Sequence, residues 1–563
     1  MTPQPPIWQQ NFAEACNWNQ PLEICTIPEL LAPALTQRRD APALDFRERK
    51  ITYREFGTLI DQAAVSLRAT GIGPGDTVAL YLPNTPYHPI SFFAVLRTGA
   101  KIVHLSALDA HRELIHKLKT SKARALITTD LVGFLPPALS LLDEGAVQQV
   151  LVGEDARWGE GEAARVPIPA RDDVKRLFGR ADAGEGEPWP VPAPGDVALL
   201  QFTGGTTGTP KAAMLTHANL TAAVSMYRLW TDGAPLEPGC QKVIAVLPLF
   251  HIFALTTVLL RNLKDGNEIF LRQRFDVETL ITDIAVKRAT SFSGVPTMWL
   301  ALLNRPGVGQ VDFSSLRACV SGGAPLPFDV QTRLARLLGA RLNNGWGMTE
   351  TGPAGSRVPN RAEPRPGLIG IPLPGIDMRI VALDDPSHAL PPGEIGEIAI
   401  RGPNVFKGYL DNESATQMAF RDGYFLTGDI GHMDEQGLFD IVDRRKNMII
   451  SSGYNVYPVA IESAIYEHPA VEEVIVIGIP DAYRGQTAKA FVRLKQHAQP
   501  FTLDELQDFL RDRLGRHEMP RALEFRPSLP RSAAGKLLAK VLVDEEREKA
   551  NSAASAQPQA PLH

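Results

Sequence analysis

The sequence predicts an α/β protein with a large N-terminal domain and a small C-terminal α+β domain. Three observations predict it: chain length, alternating helix and strand signals in the first third, and a polar break before a compact last unit. At 563 residues the chain exceeds what one hydrophobic core supports, so two or more domains are expected. In the first third, Phe56, Leu59, Ile60, Ala63 and Leu67 recur at helical spacing. GIGPGD then ends the helix and TVALYLP reads as a short buried strand. The cycle repeats with an apolar helix around Phe92 to Leu96, a strand KIVHL, a helix from Arg112 and a strand ALITT. Such alternation argues for parallel strands with helices on the sheet faces. From Gly153 to Gly195 the composition turns to Gly, Pro and charge, which reads as an exposed connection.

The polar run DRRKN, Asp443 to Asn447, separates two apolar strands. Beyond it lie a strand MIIS, a helix from Pro458 to Glu467, strands EVIVIGI and AKAFVRL, and a helix LDELQDFLRDRL. Roughly 120 residues suffice for a small α+β domain. The expected division is 1–443, 444–545 and a disordered tail 546–563, whose composition is poor in apolar residues.

Composition narrows the function classes. Hydrophobic residues make up 44% and charged residues 21%, ordinary for a globular protein. Lys plus Arg total 58 against 63 Asp plus Glu, a net charge of -5, which gives no nucleic-acid footprint. The four cysteines, Cys16, Cys25, Cys240 and Cys319, lack CxxC spacing and read as reduced, mostly buried thiols. The N-terminal stretch has no basic region followed by an apolar core, so no signal peptide is expected. Val243 to Leu260 is nearly long enough to span a bilayer, but Pro248 and His251 interrupt it, and a buried core segment is the better reading. A cytoplasmic location is expected, with peripheral membrane attachment and homodimerisation left open.

The clearest chemical signal is Thr203-Gly204-Gly205-Thr206-Thr207-Gly208-Thr209-Pro210-Lys211, which follows an apolar strand LLQF. Its glycines let the backbone turn tightly and aim N–H groups inward as an anion nest. Its threonine hydroxyls add donors, and Lys211 supplies a positive charge. A bare glycine cluster reads equally well as a flexible turn. It is not a Walker A loop, because Pro210-Lys211 leads into the apolar run AAML instead of G-K-[ST] opening a helix.

This loop, followed by MLTHANL, resembles the signature loop of the adenylate-forming superfamily of acyl-CoA synthetases, luciferases and adenylation domains. Six more blocks stand in that family's order from roughly Thr52 to Lys540: LPLFHIFAL, SGGAPLP, NGWGMTETGP, GYFLTGDIG, VDRRKNMIISSGYNVYP and LPRSAAGKLL. The chain is most similar to bacterial medium- and long-chain fatty acyl-CoA ligases, above all in LPLFHIFAL and VDRRKNMIISSGYNVYP. The resemblance implies a large domain of layered sheets and packed helices with a small mobile domain. It implies ATP, Mg2+ and coenzyme A as reactants and cofactors, and a carboxylic acid joined to coenzyme A through an acyl-adenylate.

The same resemblance implies the residue roles. Glu350 matches a magnesium-binding glutamate, an oxygen ligand suited to a hard ion. Thr349, Thr203, Gly204, Gly205, Thr206, Thr207, Gly208 and Lys211 would hold phosphate oxygens. Gly323-Ala324-Pro325 and Trp346 would flank adenine; the family more often has Tyr at the Trp346 position, and either ring offers a flat face. Asp429 would accept from the ribose hydroxyls, with Arg444 as a second ribose contact. Lys536 matches a catalytic lysine bridging the carboxylate and α-phosphate, Lys446 a hinge, and Ser452 and Gly453 the lining of a coenzyme A tunnel. His251 would shape the carboxylate end of the acid pocket, with Phe253, Leu255, Val295 and Met298 as walls. HLSALDAHREL departs from the family's Asn-Pro pair, a change expected to alter a loop and not the chemistry. Two alternatives stay open: an adenylate-former that loads a carrier protein or takes dicarboxylic or aromatic acids, and a non-catalytic nucleotide- or acyl-binding relative.

Overall fold

The computed structural model describes residues 5–161, 163–178, 188–203, 210–232, 237–323, 326, 328–445, 447–451, 454–481, 484–515, 518–531 and 537–555. The early alternation becomes a seven-stranded sheet in the order Val174–Arg176, Gln149–Gly153, Ala125–Thr129, Thr77–Leu80, Lys101–His104, Val197–Thr203, Lys211–Thr216. All its pairs are parallel except the last, an antiparallel hairpin that sets Thr203 opposite Lys211. The Gly/Thr-rich segment therefore connects two paired strands, at the C-terminal end of the first. Strand carboxyl ends are where α/β sheets place their ligands.

A second seven-stranded sheet runs Leu342–Asn343, Ala318–Ser321, Ser291–Gly294, Lys242–Ala245, Glu268–Leu271, Pro42–Phe46, Arg49–Thr52. The helix Tyr87–Arg97 is buried at every position from Tyr87 to Leu96. A helix apolar all round lies inside a core and not on its surface. It shares one hydrophobic cluster with strands of both sheets, and this layering forms the interior of the large domain.

A third, antiparallel sheet contains Gly345–Trp346, Ser356–Arg357, Leu368–Pro372, Phe439–Arg444, Tyr424–Met433, Gly396–Arg401 and Asp377–Val381. It carries residues from three separate motifs and sets Asp429 opposite Arg444. The last sheet follows the DRRKN break: Tyr454–Val456, Ile449–Ser451, Gly485–Leu494 and Val471–Asp481, with Ala522–Phe525 alongside. It has its own core, including Ile461, Val474, Phe501 and Leu506, under the helices Pro458–Tyr466 and Leu503–Leu510. The mixed α/β fold with a larger N-terminal and a smaller C-terminal part is the one the sequence predicts.

Three local expectations change. The Gly153 to Gly195 stretch is not wholly exposed: Asp155 and Trp158 are buried, and Val174–Arg176 is an edge strand. Asp155 is held there by Arg47, and Tyr87 meets the Trp158 ring. The tail expected to be disordered from 546 is instead helical to Ser555, within the helix Ala539–Ser555. Glu546, the first residue of the expected tail, pairs with Lys489, and the helix runs on from the small domain to Ser555. The apolar segment from Val243 splits into the strand Lys242–Ala245 and a π-helix Ala254–Leu260. Among the described residues no helix is long and apolar enough to cross a membrane. All four cysteines are free, with Cys16 and Cys319 buried and Cys240 exposed.

Candidate active site

A cavity of about 950 Å³ opens where the two large sheets and the antiparallel sheet meet. Its wall includes Thr203, Lys211, His251, Gly323, Trp346, Thr349, Glu350 and Arg444, residues spread over more than two hundred positions of sequence.

The phosphate side is built from the hairpin and one short turn. Lys211 leaves the second hairpin strand and lies over the Tyr409 ring, 5.2 Å from its centroid. The Tyr409 hydroxyl donates to Glu350 Oε1 at 3.0 Å. Glu350 sits in the single helical turn Thr349–Thr351, which Gly352 ends at φ 70°. Asn404 fixes this turn by donating from Nδ2 to the carbonyls of Thr351 and Ala354 at 2.7 and 2.6 Å. Burial raises the pKa of Glu350, opposed by the Tyr409 hydrogen bond and the Arg444 charge and reinforced by Asp429. A buried carboxylate of this kind gains from a cation beside it.

On the ribose side, Asp429 is 1% exposed and does not line the cavity. Its Oδ2 accepts the Trp346 indole N–H at 2.8 Å, and its Oδ1 lies 2.7 Å from Arg444 Nε. Trp346 and Arg444 themselves line the cavity. The expected ribose acceptor is thus turned toward two neighbours, and hydroxyls reach it only if one of them moves. Gly322 and Gly323 form part of the wall, and a Cβ on Gly322 would come within 2.8 Å of the Phe253 ring. Gly323 has a φ of +79°, the left-handed region that disfavours side chains.

His251 is exposed at the cavity and accepts the Phe253 N–H on Nδ1 at 3.3 Å, so it is not a buried core histidine. Phe253 and Val295 line the cavity; Leu255 is fully buried and Met298 is absent from the wall. The π-helix turns Leu255 into the core while Ala254 and Thr257 face the space. HLSALDAHREL bears directly on the site, because its His104, Ser106 and Asp109 belong to the wall.

Several predicted residues lie outside the described residues: Gly204, Gly205, Thr206, Thr207, Gly208, Ala324, Pro325, Lys446, Ser452, Gly453 and Lys536. Among the described residues, none after Arg445 lines the cavity. Beside the hinge position, buried Asp443 accepts from the Val459 N–H on Oδ2 and from the Arg444 N–H on Oδ1, at 2.9 and 2.5 Å. It ties the last strand of the antiparallel sheet to the first turn of the helix Pro458–Tyr466.

The sequence reading missed Asp443, Tyr409, Tyr227, Arg261 and Arg357. Arg261 had a usable signal, since it breaks an apolar run directly after LTTVLL. Tyr409 and Arg357 sit in loops and short strands with no pattern of their own.

Comparison with known proteins follows the same division. The family model described as AMP-binding enzyme matches residues 31–410, and that for the AMP-binding enzyme C-terminal domain matches residues 460–536. A long-chain-fatty-acid–CoA ligase of Bacillus subtilis is 34% identical over 555 residues, 96% of this chain and 98% of that protein. A feruloyl-CoA synthase of Amycolatopsis is 37% identical over 492 residues, 87% of this chain and 92% of that protein. Among solved structures, ATP-bound MatB from Rhodopseudomonas palustris superposes with a TM-score of 0.81 at 27% identity, covering 93% of this chain and 99% of that one.

Proposed function

From the premise that this chain belongs to the AMP-binding enzyme family, we propose that it joins a medium- or long-chain carboxylic acid to coenzyme A through an acyl-adenylate. It is an ATP-dependent, AMP-forming acyl-CoA ligase. The observation that carries the reading is one cavity in which Lys211, Tyr409 and Glu350 form one wall and Trp346 and Arg444 another.

In the first step an oxygen of the acid attacks the α-phosphorus of ATP. The bond to the β-phosphoryl group breaks and pyrophosphate leaves. Both reactants are anions, so the site supplies positive charge where charge develops. Lys211 and the hydroxyl of Thr203 hold phosphate oxygens, and Thr349 adds a further donor. Among the described residues no group of three or more His, Cys, Asp or Glu side chains could hold a metal. Glu350 would hold a magnesium ion, with phosphate oxygens and water completing the shell. Bound there, it neutralises phosphate charge. Trp346 and the Gly323 segment flank adenine, and Arg444 with Asp429 holds the ribose once Asp429 turns from Trp346. His251 bounds the carboxylate end, and Lys536 bridges carboxylate and α-phosphate.

In the second step the sulfur of coenzyme A attacks the acyl carbon. The acyl–phosphate C–O bond breaks, AMP leaves and the thiol proton passes to solvent. Lys536 and the thiol need the same approach, so the domain 444–545 turns about Lys446 between steps, with Ser452 and Gly453 lining the thiol's path. Asp443 gives that turn a fixed base. The relatives named for fatty and ferulic acids support a pocket able to take long or aromatic acids.

Acid-dependent ATP–pyrophosphate exchange, followed by coenzyme A thioester formation, tests the reading. Both activities are expected with the same acid. Exchange without thioester favours loading of a carrier protein, and neither activity with any acid favours a non-catalytic relative.

A further inference from the structure

Two guanidiniums in the cavity wall have no carboxylate partner among the described residues. Arg261 opens the helix Arg261–Lys264, directly after the π-helix, and Arg357 ends the strand Ser356–Arg357. Both line the same cavity as Glu350 and Lys211. The acidic groups of that wall are already committed: Asp109 to Lys117, Glu397 to Arg445 and Glu350 to Tyr409. Asp265, four residues beyond Arg261, is bound by Arg228, and Asp232 accepts the Asn360 N–H. The Arg357 guanidinium lies 5.4 Å from the Trp230 ring, with Tyr227 close enough to act on both arginines.

Different charges act on the pair and on Glu350, although the strand of Arg357 pairs with Gly345–Trp346. Arg444 and Asp429 are the charges that act on Glu350, whereas Arg261, Tyr227, Cys16 and Asp232 act on Arg357. Burial and then repulsion from Arg261 bring the Arg357 pKa down to about 10, which still leaves it cationic at neutral pH. Both side chains are half-buried in the cavity wall, and two like charges acting on each other there favour an anion placed between them. An aliphatic chain ending here would leave both uncompensated.

We propose that Arg261 and Arg357 form an anion receptor at the acyl end of the cavity, and that the acid carries a second carboxylate at the end remote from its reacting one. This rests on the ligase reading above. The Tyr227 hydroxyl, which donates to the Pro353 carbonyl at 3.4 Å, acts on both members of the pair. The remote carboxylate is borne on an aliphatic chain, as in an α,ω-dicarboxylic acid, or on an aromatic acid with a second carboxyl group. In either case two planar guanidiniums suit a bidentate carboxylate.

The test measures acid-dependent pyrophosphate release by the intact protein with matched pairs of acids. Each pair is a monocarboxylic acid and the dicarboxylic acid of the same skeleton, in an aliphatic series and an aromatic one. For at least one skeleton the dicarboxylic acid is expected to have a kcat/KM about 10⁴-fold higher, as when a polar site meets an analogue lacking its partner group. The series that contains it identifies the skeleton. Arg261→Met and Arg357→Met are expected to bring that ratio toward one, mainly through KM for the dicarboxylic acid, while Arg357→Lys retains part of the preference. Monocarboxylic acids turned over as well as or better than their partners in every pair would overturn the receptor and leave the ligase reading standing. No release with any acid overturns the ligase reading and the receptor with it. The wild-type ratios decide the matter even where a variant fails to fold.

Discussion

The two ends of the cavity are built on opposite electrostatic principles. At the nucleotide end the carboxylates beside the site are already answered: Asp429 by Trp346 and Arg444, Glu350 by Tyr409, Glu397 by Arg445. At the acyl end Arg261 and Arg357 act on each other and neither has an ion-pair partner among the described residues, although Asp265 and Asp232 act on them through space. A pre-satisfied end is stable empty and must release a partner to bind. An unsatisfied end is held at a cost that its ligand removes. The nucleotide is common to the whole family, whereas the acid differs from member to member, so the chain's individuality is expected at the unsatisfied end.

The largest expected effect falls on the nucleotide end. Lys536→Ala should lower acid-dependent pyrophosphate release by about 10²–10³-fold, the usual loss when one donor to developing charge is removed. A normal melting curve beside that loss would assign it to chemistry, and near-normal release would remove Lys536 from the site. Asp429→Asn should raise KM for ATP about tenfold, because it weakens the ion pair that positions Arg444. A change confined to the acid's KM would place Asp429 at the wrong end of the comparison. Lys446→Pro should slow thioester formation severalfold while sparing adenylation, read by following AMP-dependent and coenzyme A-dependent steps separately. Equal loss of both would refute the hinge.

The smallest effect lies away from the cavity, in the small domain. Burial pushes the Glu462 pKa up to about 8, with the Asp443 charge adding to the shift. Its carboxyl is held by the Val476 N–H at 2.8 Å. An acid whose pKa rises on folding contributes stability that is complete below its unfolded value, near 4.5, and is lost as pH climbs toward about 8. Glu462→Gln should therefore raise Tm by about 3–5 °C at pH 9 and leave it little changed at pH 5. The same shift at both pH values would show that the residue is not protonated in the fold.

Most of the nucleotide end was legible in the sequence because each of its parts occupies a motif with fixed neighbours, such as Lys211 after TGGTTGTP or Glu350 in GMTE. What motifs did not convey was the pairing of Asp429 with Trp346, eighty-three positions away, which depends on how the antiparallel sheet folds over. The first parallel sheet was legible from apolar runs alternating with helical spacing. The acyl end was not. Its walls come from a π-helix, a two-residue strand and a buried helix, and none announces which side chains face inward. Leu255 looked like a wall and is core, while Arg261 and Arg357 line the cavity although no motif in the sequence singled them out. The expected tail is helical to Ser555 for a related reason: its composition does not show the Glu546–Lys489 ion pair at its start.

The most direct test of the contrast measures two quantities in two variants, Glu350→Gln and Arg357→Met. The quantities are KM for ATP at fixed magnesium and the kcat/KM ratio of a dicarboxylic acid to its monocarboxylic partner. The prediction is that Glu350→Gln raises KM for ATP and holds the acid ratio, whereas Arg357→Met collapses the acid ratio by far more than it moves KM for ATP. If each variant shifts both quantities to a similar extent, the cavity does not have two separately built ends and the account fails.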